Sequence, residues 1–125
     1  PTDNVPELTA RTNDEGFDTF FEEYLKVSKF SHNDALFILS VGGGDADRNV
    51  SVGLIKAIRY AKKQHSSILS IVGKKDGYTA TNTELCVVVP QIAPERITPH
   101  SEAFQAVVWH CIVSHPKLQI NKTKW

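Results

Sequence analysis

Ala35-Leu-Phe-Ile-Leu-Ser-Val-Gly-Gly-Gly-Asp45, followed by a helix-patterned run from about Asp47 to Gln64, decides the reading of this chain. An unbroken apolar run over Ala35 to Val41 is the mark of a parallel strand buried on both faces. It ends in a serine and three glycines, and a helix begins beyond them. Glycines let backbone come close to a ligand, and the first amides of a helix have no partners of their own. The positive end of the helix dipole favours an anion, most simply a phosphate. The stretch therefore reads as the strand-turn-helix unit of an α/β protein that holds a phosphorylated small molecule.

Working outward, two more apolar runs read as strands: Ser67 to Gly73 and Leu85 to Val89, the latter stopped by Pro90. Helical spacing of apolar residues appears over Glu15 to Lys29, with Asn13 or Asp14 as its cap. Another such stretch runs from a Thr98 cap, through Pro99, to His115-Pro116. Residues 1 to 14 read as a polar loop, with at most one helical turn at Glu7 to Arg11. Lys74 to Tyr78 reads as a turn, and residues 117 to 125 as a weakly ordered tail. This alternation predicts a parallel sheet with helices on both faces, in one domain over residues 1 to 125. Three strands are few for such a sheet, so a missing N-terminal part or a partner chain would complete it.

Bulk composition narrows the function classes. Fourteen basic and 14 acidic residues cancel in a chain of 125, which removes the electrostatic case for nucleic acid or an anionic membrane. Hydrophobic residues make up 41%, enough for a core, and no apolar run is long enough to cross a bilayer. Cys86 and Cys111 both lie in apolar runs and read as buried free thiols of a cytoplasmic protein, a disulfide between them being the alternative.

Two stretches carry the chemistry. The first is the turn after the leading strand. Ser40, the amides of Gly42, Gly43 and Gly44, and Ser51 form a candidate phosphate or sugar site at the carboxyl end of a strand, where open α/β sheets bind ligands. Three glycines in a row exceed what one tight turn needs. The pattern is neither a P-loop nor a dinucleotide fingerprint. Asp45 and Asp47 read as helix caps. The second stretch holds His100, Glu102 and His110, residue types suited to general acid/base work or to metal binding. Glu102 and His110 are eight residues apart, roughly 12 Å along one continuous helix. A capping carboxylate and a structural histidine beside Trp109 are the plain alternative. Lys74, Lys75 and Asp76 read as a solvated turn that could assist an anion.

Ser40-Val-Gly-Gly-Gly, Leu54-Ile-Lys-Ala-Ile58, the Ile71-Val-Gly-Lys-Lys-Asp-Gly77 turn and the Phe104-to-His110 helix together resemble sugar isomerase (SIS) domains, the phosphoheptose isomerases in particular. Thr2-Asp-Asn-Val-Pro-Glu-Leu-Thr-Ala and Asn13-Asp14 resemble the segment after that family's second strand. The resemblance covers nearly the whole chain but only the C-terminal two-thirds of a typical member. It implies a Rossmann-like α/β/α fold, here lacking its N-terminal strands and helices, and a homo-oligomer with sites at subunit interfaces. It implies aldose-ketose isomerisation of sedoheptulose 7-phosphate through an enediol, with zinc in some members. By position, His110 matches the family's acid/base and metal-binding histidine, and Glu102 falls where the family has a glutamine metal ligand; His100 completes the candidate metal set. Ser40 matches the first serine of the phosphate loop, and Thr2 and Asp3 fall in a substrate-contacting loop. Where the family reads Ser-Thr-Ser-Gly-Asn-Ser this chain has Ser40-Val-Gly-Gly-Gly-Asp45, so backbone amides would carry more of the phosphate. The family's Asn-Gly-Gly-Ser loop and catalytic glutamate have no counterpart here. A sugar-phosphate-binding module acting as sensor or interaction protein is the alternative, and a metal-dependent hydrolase or lyase using His100, Glu102 and His110 a third reading.

Overall fold

The computed structural model of the chain describes residues 4–122. Three parallel strands form the sheet: β1 (Ala35–Ser40), β2 (Ser67–Val72) and β3 (Leu85–Val88), in the order β1-β2-β3. Helix α3 (Val52–Lys63) connects β1 to β2, and the short α4 (Tyr78–Asn82) connects β2 to β3. Helices α1 (Val5–Glu15) and α2 (Phe20–Val27) precede the sheet, and α5 (Ile97–Ser114) follows it. The alternation expected of an α/β protein is present, strand for strand.

Side chains alternate across a strand, so the register sorts the sheet into two faces. Leu36, Ile38 and Ile68 point to one face, where Ile38 and Ile68 pack with Ile58 and Ala61 of α3 as the core. Burying four such side chains removes apolar surface worth roughly 25 cal/mol per Å². Helix α5 packs against β1 and β2, where its Gln105 side chain reaches the Ser40 and Ile71 carbonyls.

Several expectations need correction. β1 is not buried on both faces: Ile38 is buried, but Phe37 is 44% and Leu39 48% exposed. Among the described residues β1 is an edge strand, and its second face meets only part of α5. Residues 5–15 form a full helix rather than a polar loop. The Asn4 side chain accepts from the Glu7 amide, Pro6 sits in the first turn, and Arg11 pairs with Glu7 and Glu15 at helical spacing. Asn13 and Asp14 therefore lie inside α1 and do not cap the following helix. Gly16, at φ 85°, ends α1, and a 3₁₀ turn at Phe17–Thr19 separates it from α2. α5 begins at Ile97, one residue before the expected Thr98 cap, with Pro99 still in its first turn.

The helix after the glycines starts at Val52, not near Asp47. Asp45 and Val50 exchange two backbone hydrogen bonds, closing a small loop. The Asp45 carboxylate accepts from the Asp47 and Arg48 amides inside it, so Asp45 caps this loop and not the helix. Cys86 is half-buried and Cys111 exposed, both as free thiols, because among the described residues no further layer covers the outer surfaces of β3 and α5. No helix among the described residues is long and apolar enough to cross a membrane.

Candidate functional site

The turn after β1 is tied into the fold through its carbonyl groups. Val41 O accepts from the Gly73 amide at 3.0 Å, Gly44 O from the Tyr78 amide at 2.8 Å, and Gly43 O from both the amide and the hydroxyl of Thr79 at 2.8 Å each. Gln105 Nε2 donates to Ser40 O at 2.9 Å and to Ile71 O at 3.0 Å, bridging the carboxyl ends of β1 and β2. Ser40 Oγ accepts from the Gly43 amide at 3.0 Å, which leaves its proton free to donate.

Glycine is required here by close approach as much as by dihedral angle. Gly43 and Gly44 lie at φ 72° and 79°, the left-handed region. Gly77 lies at φ −69°, open to any residue, yet a Cβ there would stand 2.2 Å from Gly42 O.

Ser51 occupies the position before α3 at φ 53°, ψ 47°, and its hydroxyl makes no cap bond to its own helix. An ordinary N-cap serine sits in the extended region and satisfies one of the first amides. This leaves the Ser51 hydroxyl and the Val52 and Gly53 amides without a partner among the described residues, while the Leu54 amide donates to Ser51 O at 3.0 Å. Ser40 and Ser51 line one cavity of about 570 Å³, together with Val52 and Gly53 at the start of α3. Its remaining wall is mostly apolar, from Leu8, Phe17, Phe20, Phe21, Leu39 and Leu54, with Asp18 and Asn49. A second cavity of about 220 Å³ shares Ser51 and is lined by Gly42, Gly44, Asp45, Arg48, Lys74 and Asp76 among others.

The three glycines therefore divide. Gly42 and Gly44 reach the smaller cavity; Gly43 is buried against Thr79 and lines neither. Lys74 and Asp76 do stand beside the turn, as their place at the end of β2 suggests, while Lys75 does not line it. Arg48 is drawn to Asp45 at 2.7 Å. Its backbone and side-chain hydrogen bonds hold the Asp45 carboxyl below the usual carboxylate range.

His100, Glu102 and His110 all lie on α5 and line neither cavity. His100 is half-buried; Glu102 and His110 are exposed, with the His110 ring stacked on Trp109 at 3.7 Å between centroids. Eight residues turn an α-helix by roughly 80° beyond whole turns, so Glu102 and His110 present to different directions. Among the described residues, no group of three His, Cys, Asp or Glu side chains is close enough to hold a metal ion. Thr2 and Asp3 lie outside the described residues.

Thr79 and Gln105 are the residues that sequence reasoning missed. Their partners lie 36 and 65 positions away along the chain. Gln105 did carry a signal, a lone amide set among Phe104, Ala106, Val107 and Val108.

Known structures share this fold. A phosphoheptose isomerase from Francisella tularensis superposes with a TM-score of 0.68 at 19% identity, over 87% of this chain and 55% of that one. The phosphoheptose isomerase from Neisseria gonorrhoeae gives 0.67 at 23%, over 86% and 56%. The fold is that of the phosphoheptose isomerases. No protein-family model matches the chain. In sequence, a phosphoheptose isomerase from Rhodospirillum rubrum is 31% identical over 112 residues, 89% of this chain and 53% of that protein. Lincomycin biosynthesis protein LmbN from Streptomyces lincolnensis is 27% identical over 114 residues, 90% of this chain and 41% of that protein. The chain thus spans about half the length of the curated relatives it matches. Within this phosphoheptose isomerase-like, SIS-type fold, the Ser40 turn and the start of α3 stand at the carboxyl end of β1, the edge at which open α/β sheets offer ligands a crevice.

Proposed function

We propose that this chain is the phosphate-binding, histidine-bearing part of a cytoplasmic sugar-phosphate isomerase of the phosphoheptose isomerase type, interconverting the ketose sedoheptulose 7-phosphate and its aldose through an enediol. The observation that supports it best is that Ser40 and Ser51 line one cavity together with Val52 and Gly53, the first residues of α3. Both hydroxyls are free to donate to phosphate oxygens, and the α3 dipole favours the charge. The apolar wall suits the carbon chain of a sugar. His110 is assigned the proton transfer between adjacent carbons and Glu102 a separate carboxylate role, since the two present to different directions.

Neither residue lines that cavity within one chain, so the reading requires the acid/base groups and the phosphate site to meet across an interface. Helix α5 is built for one: its buried residues are Ser101 and Gln105, whereas Phe104 is 52% and Val107 53% exposed. We therefore assign the outer face of α5 to contact with a second copy in a homo-oligomer. Glu102, His110 and His100, the residues named for zinc, do not fit it as a set: among the described residues they do not gather into a group that could hold a metal ion.

The separation of His110 and Glu102 from the cavity also favours a second reading, a sugar-phosphate-binding module that senses its ligand without turning it over. An NMR time course of sedoheptulose 7-phosphate distinguishes the two. The isomerase reading expects aldose signals with this chain or a longer form of it, and their loss in His110→Ala with binding retained. Full turnover in His110→Ala would remove the assignment of that residue. Binding without turnover in both forms selects the sensor, and no binding in either removes both readings.

A further inference from the structure

Every carbonyl from Ser40 to Gly44 except that of Gly42 accepts a hydrogen bond from α5 or from the segment that follows β2. Ser40 O meets Gln105, Val41 O meets the Gly73 amide, Gly43 O meets the amide and hydroxyl of Thr79, and Gly44 O meets the Tyr78 amide. Gly42 O lies so close to Gly77 that no Cβ would fit between them. In a trans peptide the N–H points opposite to the preceding C=O. Anchoring the carbonyls of Val41 and Gly43 therefore turns the Gly42 and Gly44 amides away from Gly73 and Thr79; both glycines line the smaller cavity, whose charged residues are Asp45, Arg48, Lys74 and Asp76. Those two amides make no hydrogen bond within the described residues. A carbonyl swung round to that side would repel an anion, so the orientation of the turn sets its affinity.

Two side chains hold this orientation. Thr79 is fully buried, and its hydroxyl has the Gly43 carbonyl as acceptor. Gln105 is buried, and its amide nitrogen divides its two protons between β1 and β2. We propose that Thr79 and Gln105 are positioning residues of the anion-binding turn, which hold it from behind so that the Gly42 and Gly44 amides face the ligand. The identity of the ligand rests on the sugar-phosphate reading above, with its anion at Ser51, the residue that lines both cavities, so that Gly42 and Gly44 meet it from the smaller one; the orientation of the turn does not rest on that reading.

The test uses the ¹⁵N-labelled full chain, Thr79→Val, Thr79→Ser and Gln105→Leu, titrated with inorganic phosphate and with sedoheptulose 7-phosphate. Thr79→Val and Gln105→Leu are expected to weaken both ligands by about tenfold, the scale of one buried hydrogen bond. Their Gly42 and Gly44 amide signals should shift in the ligand-free protein, and Thr79→Ser should restore both signals and affinity. A merely structural role would lower the melting temperature and leave the affinity of the folded protein unchanged, which overturns the proposal. Where the unsubstituted chain binds neither ligand, the sugar-phosphate reading fails, and the amide signals decide alone: displaced in Thr79→Val and restored in Thr79→Ser supports positioning, unmoved overturns it. Should Thr79→Val not fold, Gln105→Leu carries the same comparison through Ser40.

Discussion

Gly77 shows how a single residue type can be dictated by a neighbour rather than by its own backbone. Its dihedral angles suit any amino acid, but a methyl group would sit 2.2 Å from Gly42 O. Relief must come from moving backbone, because a carbonyl oxygen has no rotamer to change. Gly77→Ala is therefore expected to lower stability by roughly 1–3 kcal/mol, the usual range for overpacking. It should also disturb the Gly42 to Gly44 amide signals. Denaturant unfolding and a ¹⁵N spectrum check both, and an unchanged midpoint would show that the turn has slack. Asp45 makes a second prediction at this scale. The Arg48 amide and guanidinium favour its charged form, so its folded pKa lies below the unfolded one. The stabilisation is then complete above the ordinary aspartate range and is lost as pH falls through the depressed folded value. An NMR titration should find the Asp45 midpoint below that of free aspartate, with the Asp45–Val50 loop loosening over the same interval. A midpoint at the ordinary value would contradict the Arg48 contacts.

Among the elements, α5 departs furthest from the usual pattern of a surface helix. Helices normally bury an apolar stripe and leave polar residues in water. Here Ser101 lies against Gly73 and Gln105 spans two strands, while Phe104, Val107, Ile112 and Val113 face outward. Exposed apolar residues contiguous along a helix mark an interaction site more often than a free surface. If that surface meets a second copy, Phe104→Ser combined with Val107→Ser should weaken self-association by at least roughly tenfold. It should leave the fold intact, since neither side chain touches the core. Sedimentation velocity over a concentration series reads the outcome; an unaltered distribution, or a monomer before substitution, removes the interface. Helices α1 and α2 teach a different point. Their combined stretch reads as loop then helix because the first part is polar and contains proline. Yet Pro6 in a first turn and the ion pairs of Arg11 favour a helix, and Gly16 sets the break that apolar periodicity alone passes over.

For the molecule as a whole, the three strands, their parallel order and the turn that follows the first were legible in the sequence. Unbroken apolar runs bounded by glycine and proline leave few other conformations, and helical spacing between them requires crossover connections. The candidate phosphate residues Ser40 and Ser51 could be named for the same reason, since they flank the turn on either side. What only the tertiary structure decided was where those groups point. Neither the left-handed Ser51 nor the delayed start of α3 has a local signature, because both follow from the Asp45–Val50 bonds that close the intervening loop. Thr79 and Gln105 act on carbonyls 36 and 65 residues distant, a relation that exists only once the chain has packed. Periodicity measures which side of an element is buried by its neighbours in sequence. It carries no information on which atoms of a turn are answered from behind and which are left facing a ligand.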